Sequence, residues 1–249
     1  MMRITDTVKH LIIINVIFFI GTISIGGGNL FYELFALYFP ESENFKIWQI
    51  ITHMFMHGGV MHIAFNMFGL WMFGSAVEAN LGRNKFLFIY FSAGLGAVLF
   101  QLGYNYFDFT STVNDLMATG FSKSEIIEMI TKNKVASTVT GEQLSSLQHA
   151  FSLYNGSMVG ASGCLMGILA AFGVMNPNAE LMMIFLPIPI KAKYFIPGII
   201  LLDVISAFSG QSFFSPSNTA YLAHVGGAIV GFIIMWYWKK NSFDKYRVD

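Results

Sequence analysis

Six stretches of the chain are apolar and almost free of charge over lengths approaching what a bilayer about 30 Å thick demands of a helix, roughly 17 to 25 residues. Leu11 to Ile25, Met61 to Val77, Phe86 to Gly103 and Ala220 to Trp238 are uninterrupted. Gly160 to Val174 is shorter, and Tyr194 to Phe208 carries Pro197 and Asp203. The short and broken runs matter most, because irregular backbone at membrane depth survives only where protein or a water-filled cavity satisfies it. Between the runs, Asn29 to Gly59 is aromatic and mixed, which predicts a segment dipping into the membrane interface. From about Asn105 to Ser157 the composition turns polar. Within it, FSKSEIIEMITKNK sets apolar residues at helical spacing against charged ones and predicts a short amphipathic helix in an extramembrane insert.

Composition agrees with this pattern. Of 249 residues 55% are hydrophobic and only 11% charged, and the mean hydropathy is +0.59, values outside the range of water-soluble domains. The expected fold is an all-α polytopic membrane protein with six transmembrane helices, a single domain over residues 1–249 with the insert at about 105–157. Zero net charge argues against nucleic acid as a partner. A lone cysteine, Cys164, excludes an intramolecular disulfide and a cysteine-rich zinc framework.

Lysines and arginines orient the chain. With the N-terminus cytoplasmic, Arg3, Lys9, Arg83, Lys85, Lys191, Lys193, Lys239, Lys240, Lys245 and Arg247 lie inside, and Lys46, Lys123, Lys132 and Lys134 outside. The bias supports six spans with both termini cytoplasmic, in a plasma (inner) membrane. A signal peptide is the alternative reading of the first run, and its removal would not invert the rest.

Residues 53 to 69, HMFMHGGVMHIAFNMFG, put three histidines and an asparagine in an apolar stretch. A metal site is disfavoured: Gly58 and Gly59 interrupt any helix bearing His53 and His57, and no HExxH glutamate or nearby carboxylate completes it. His53 and His57 are expected near the membrane surface. His62 and Asn66, four apart, share one helical face, either bridging helices by hydrogen bonds or serving a site.

Ser162 stands between Gly160 and Gly163 at the start of the short fourth run. Small residues there permit close helix packing, and Gly163 and Gly167 form a small-xxx-small pattern. A helix N-terminus also offers free N–H groups and a positive dipole end that would stabilise an oxyanion beside a serine. In the last run, His224 lies about one turn inside, with Gly227 and Gly231 on its face. An imidazole within reach of a serine oxygen acts as general base, and ionisable residues inside membranes are functional candidates by default. Topology brings Ser162, His62, Asn66 and His224 to the non-cytoplasmic half of the bilayer from three spans, the convergence a site requires.

These residues resemble the rhomboid family of intramembrane serine proteases. The resemblance is carried by His62xxxAsn66, by Gly160-Ala161-Ser162-Gly163 and by Ala223-His224 with Gly227 and Gly231. WQIITHMFMHGGVMHIAFNMFGL and GSAVEANLG extend it through nearly all of the chain outside the insert. The resemblance implies a six-helix, rhomboid-like bundle, without cofactor or metal, cleaving transmembrane segments of other proteins within membrane lipid. Ser162 would be the nucleophile, His224 the general base, and His62, Asn66 and the Ser162 N–H the oxyanion hole. Gly160, Gly163, Gly227 and Gly231 would give close helix packing at the site. A pseudoenzyme that binds membrane proteins without cutting them is the alternative, although it would usually have lost Ser162 or His224. A transporter would show charge or repeat symmetry between halves, which is absent, and a metal-dependent hydrolase would respond to chelators.

Several positions carry further expectations. Where the family often has an aromatic ring on the histidine, this chain has Met166. No carboxylate is placed to orient His224, so packing must hold the imidazole. Asp203 reads as a helix–helix hydrogen-bonding group in preference to a third catalytic member, because it stands away from the outer end of its span. Glu78 reads as interfacial, close to Arg83. The Phe213-Phe214 pair is either an interface anchor or a loop capping the site. Pro187, Pro189 and Pro197 would leave the fifth span mobile as a lateral gate, and the insert would recruit substrate or a partner. Oligomeric state stays open.

Overall fold

The computed structural model describes residues 3–136, 139–183, 186–213 and 220–244. Among the described residues five helices are long and apolar enough to cross a membrane: Asp6–Ser24, Val60–Leu81, Arg83–Ala118, Ala192–Ser209 and Tyr221–Asn241, the last within a helix running to Asp244. The apolar helix Ser162–Met175 is shorter, and together they form six spans of a multi-pass integral membrane protein, as the hydrophobic runs predict. The second span is continuous but loosens into a π-helical turn at Leu70–Gly74, a local widening that recurs at functional sites.

The short fourth span sits in the middle, flanked by the third and the sixth. Small residues set its distances. A Cβ added at Gly163 would fall 2.4 Å from the Ala97 Cβ, and one at Gly167 2.2 Å from that of Ala93. On the other side, a Cβ at Gly227 would fall 2.0 Å from the Gly163 carbonyl oxygen and one at Gly231 2.2 Å from that of Gly167. Backbone therefore lies on backbone, the closest approach helices make in lipid. The sixth span meets the third in the same way, Gly226 facing the Gly96 carbonyl.

The third span is 36 residues, or about 54 Å at 1.5 Å per residue, so it reaches well beyond the hydrocarbon. The polar composition from Asn105 onward hides this continuation. Phe109, Val113 and Leu116 recur at helical spacing and pack with Ile126 and Ile130 of the helix Lys123–Lys132 and with Leu147, Ala150 and Tyr154 of the helix Gly141–Asn155. The insert is thus built on the extended third span. Its helices start at reciprocal capping boxes, Ser122 with Glu125 and Thr140 with Gln143.

The segment after the first span is more buried than an interfacial dip. Leu37, Phe39, Met54 and Met56 are in the core, while Trp48 remains half exposed. Two short antiparallel ladders interrupt the helical architecture. Leu37–Tyr38 pairs with Ser157–Met158, and Glu180–Met183 pairs with Leu186–Lys191 before the fifth span, placing Pro187 and Pro189 in a hairpin strand. Pro197 lies inside the fifth helix. Glu78 is buried in protein and accepts from the Thr7 and Val8 N–H groups at 3.2 and 3.1 Å and from the Thr5 hydroxyl. Its carboxylate thereby caps the N-terminus of the first span, where unsatisfied N–H groups and the helix dipole favour an anion. Phe213 is exposed; Phe214, Lys245 and Arg247 lie outside the described residues.

Candidate active site

The chain reaches Ser162 along a tethered path. The Leu37–Tyr38 ladder holds Ser157 and Met158, and the Gly160 N–H donates to the His53 carbonyl at 2.9 Å. Gly160 has φ +131°, a conformation side chains rarely adopt, and a Cβ there would sit 2.8 Å from His62 Nε2. Gly160 is therefore less a helix-packing residue than the clearance that admits the His62 ring beside the serine. The same point lies 3.6 Å from Ser162 Oγ, so the imidazole nitrogen and the hydroxyl flank one small space.

Ser162 is the first residue of its helix and is partly exposed. The first N–H groups of a helix have no intrahelical acceptor, and they point where negative charge is stabilised. Across the space stands the second span. His62 Nδ1 accepts from the Gly58 N–H at 3.3 Å, which puts the proton of the neutral ring on Nε2, the nitrogen beside Ser162. One turn on, Asn66 is buried, and its Nδ2 finds no partner among the described residues. A buried amide donor without an acceptor costs free energy unless something else supplies one. The arrangement can therefore donate to an oxygen that becomes anionic next to Ser162.

His224 enters from the sixth span, buried, close enough to His62 for the two imidazoles to interact electrostatically. Its Nδ1 lies 2.9 Å from Asp203 Oδ2 of the fifth span, and Asp203 is 1% exposed. This corrects the expectation that no carboxylate reaches His224 and that packing alone holds it. Asp203 does bridge two helices, as expected, but its partner is this histidine. Asp203 does not stand far from the outer end of its span: it is only six residues from Ser209, the end of its helix, or about 9 Å. Met166 packs with Ala228, one turn along from His224, in an apolar cluster with Leu169 and Ile196.

His53 and His57 are buried in protein, not displayed at the membrane surface. His53 donates from Nδ1 to the Gln49 carbonyl at 2.8 Å, while the His57 ring meets the His62 ring edge-on, centroids 5.0 Å apart. Among the described residues no three metal-ligating side chains gather at one place. Burial pushes the His53 imidazole down to about 4, and burial together with neighbouring His62 pushes that of His57 down to about 3. Both rings are neutral in the fold, whereas the unfolded chain protonates them below about 6.5. Stability present above that pH is therefore lost as the pH falls toward those lowered values, by about 1.4 kcal/mol per unit for each ring. The unfolding temperature in detergent is expected to drop between about pH 6.5 and about pH 4.5, and His57→Phe to make the drop shallower. An equal slope in the variant would show that His57 does not titrate in this way.

A model of the Rhomboid domain matches residues 44–124 and 132–241. The presenilin-associated rhomboid-like protein, mitochondrial, of Homo sapiens is 30% identical over 189 residues, 76% of this chain and 36% of that protein. Rhomboid protein 1, mitochondrial, of Saccharomyces cerevisiae is 25% identical over 199 residues, 80% of this chain and 43% of that protein. The rhomboid protease AarA of Providencia stuartii is 26% identical over 197 residues, 75% of this chain and 54% of that protein. The chain thus spans about a third to a half of the length of these curated relatives.

Proposed function

Because this chain belongs to the rhomboid family, we propose that it is an intramembrane serine endopeptidase in which Ser162 is the nucleophile and His224 its general base. What supports the reading is the space beside Gly160 that His62 Nε2 and Ser162 Oγ flank, together with the buried Asn66 amide one turn from His62, without a partner among the described residues, and the free N–H groups of a helix that begins at the serine itself. A purely structural serine needs no such surroundings.

In the proposed reaction His224 removes the Ser162 hydroxyl proton as Oγ attacks the scissile carbonyl. The carbonyl oxygen becomes an oxyanion in the small space bounded by His62 and Gly160 and receives hydrogen bonds from His62, Asn66 and the Ser162 N–H. His224 then gives its proton to the leaving amine, and water, activated by the same imidazole, releases the acyl-enzyme. Substrates would be transmembrane segments of other proteins. A helical peptide bond is shielded by its own backbone, so residues that unwind a helix easily should favour cutting. The site would open on the face away from both termini. Two of the three named relatives are called mitochondrial and one is bacterial, and an inner membrane of either kind suits the charge bias.

Oxyanion donors act in the transition state more than in substrate binding. Asn66→Ala and His62→Ala are each expected to lower kcat about 10²- to 10³-fold on a transmembrane reporter in liposomes, with KM little changed. The cut should map to the end of the reporter segment on the face away from the termini. Loss through KM alone, or a cut at the opposite face, would overturn the assignment of donors or of orientation respectively.

A further inference from the structure

We infer that Asp203 is a positioning residue of this site: its carboxylate fixes the proton of His224 on Nδ1, leaving the Nε2 lone pair free to take the Ser162 proton. The inference rests on the proposed roles of Ser162 and His224 and goes beyond them, since the family resemblance implies a serine and a histidine alone. An ionised or ionisable carboxylate inside a span is expensive and needs a specific partner. Asp203 is 1% exposed in a helix otherwise rich in isoleucine, leucine and phenylalanine, and its Oδ2 meets His224 Nδ1 at 2.9 Å. An ionised carboxylate can only accept a hydrogen bond, so the ring nitrogen that it meets is the one carrying hydrogen.

The sixth span presents His224 between two neighbours of different character. On one side, His62 of the second span is neutral, with its own proton directed at the site; on the other, Asp203 of the fifth carries the acid. The imidazole is thus held in one tautomer and one orientation, and the imidazolium that forms during attack is stabilised by the anion behind it. No proton need pass to Asp203.

A brace between the fifth and sixth spans would account for the same distance, and the two roles separate in Asp203→Asn. The amide keeps a hydrogen bond across the helices but loses the charge and can present the wrong group to Nδ1. We expect this variant to keep its unfolding temperature while reporter cleavage falls about 10²-fold or more. Cleavage at the unaltered rate would overturn the inference and leave a brace. In the unaltered chain, nitrogen NMR of the labelled histidine should show Nδ1 protonated and Nε2 bare at neutral pH, a readout independent of cleavage and of how the variant folds. The reverse tautomer would also overturn it. If Ser162→Ala still cuts in the same series, the nucleophile reading fails instead, and the NMR result continues to report on the Asp203–His224 pair.

Discussion

Replacing Ser162 or His224 by alanine is expected to reduce cleavage of a transmembrane reporter to background, a loss of about 10⁴-fold or more for each. The magnitude follows from how the two side chains would act as a unit. Without the serine oxygen no acyl-enzyme forms; without the imidazole the hydroxyl keeps its proton and is a poor nucleophile. The double variant should therefore be no worse than either single one, since effects within a unit do not add. Helix packing at these positions does not depend on either side chain, because the contacts between the fourth and sixth spans are made by Gly163, Gly167, Gly227 and Gly231. The folded fraction should survive Ser162→Ala, whereas His224→Ala takes the imidazole away from the buried Asp203 carboxylate and should also lower the unfolding temperature. Residual cutting in both variants, at a rate near that of the unaltered chain, would remove Ser162 and His224 from the mechanism.

Gly227→Val is expected to have the second largest effect, through the fold. Its Cβ would fall 2.0 Å from the Gly163 carbonyl oxygen and 2.8 Å from the carbonyl carbon, and these are backbone atoms that no rotamer change can move. The sixth span would have to back away from the fourth, carrying His224 away from Ser162. Overpacking of this kind costs about 3 kcal/mol or more where backbone must shift, so the unfolding temperature in detergent and the cleavage rate should fall together. Gly103→Ala is the matched control. Its added Cβ would meet nothing within 4 Å, and an alanine in a helix interior should be neutral or stabilising by up to about 1 kcal/mol. Similar losses in both variants would mean that close packing of the fourth and sixth spans is not what holds the site together.

Much of this architecture is legible in the sequence because a bilayer imposes a length on every apolar run. The six runs locate all six spans, and the glycine spacings at 163, 167, 227 and 231 foretell which helices lie backbone to backbone. The third span shows the limit: its hydropathy ends near Gly103, but Phe109, Val113 and Leu116 carry the helix on as the floor of the insert. Polarity marks where a helix leaves lipid, not where it stops. Glu78 was legible as a carboxylate near the membrane surface but not as a cap, because its partners at Thr5, Thr7 and Val8 lie some 70 residues away.

Within the proposed site, His62, Asn66, Ser162 and His224 are the residues that spacing and expected common depth single out in the sequence. Gly160 was legible as a small residue, yet its purpose, clearing the His62 ring, depends on a φ that sequence does not display. Asp203 was legible as a helix–helix hydrogen-bonding group, but not as the partner of His224. Its partner could have been found by measuring depth from the end of the fifth helix and from the start of the sixth, which bring both residues within two turns of the same face. The ladder between Leu37–Tyr38 and Ser157–Met158 left no readable signal, since two residues are too few to show alternation.

The most direct test of the central claim is covalent labelling of the purified chain in detergent by a serine-directed phosphonate, with the modified residue located by mass spectrometry. The account predicts a label on Ser162 that is lost in Ser162→Ala and strongly slowed in His224→Ala. A label on another serine, or one on Ser162 that forms equally fast without His224, would contradict it.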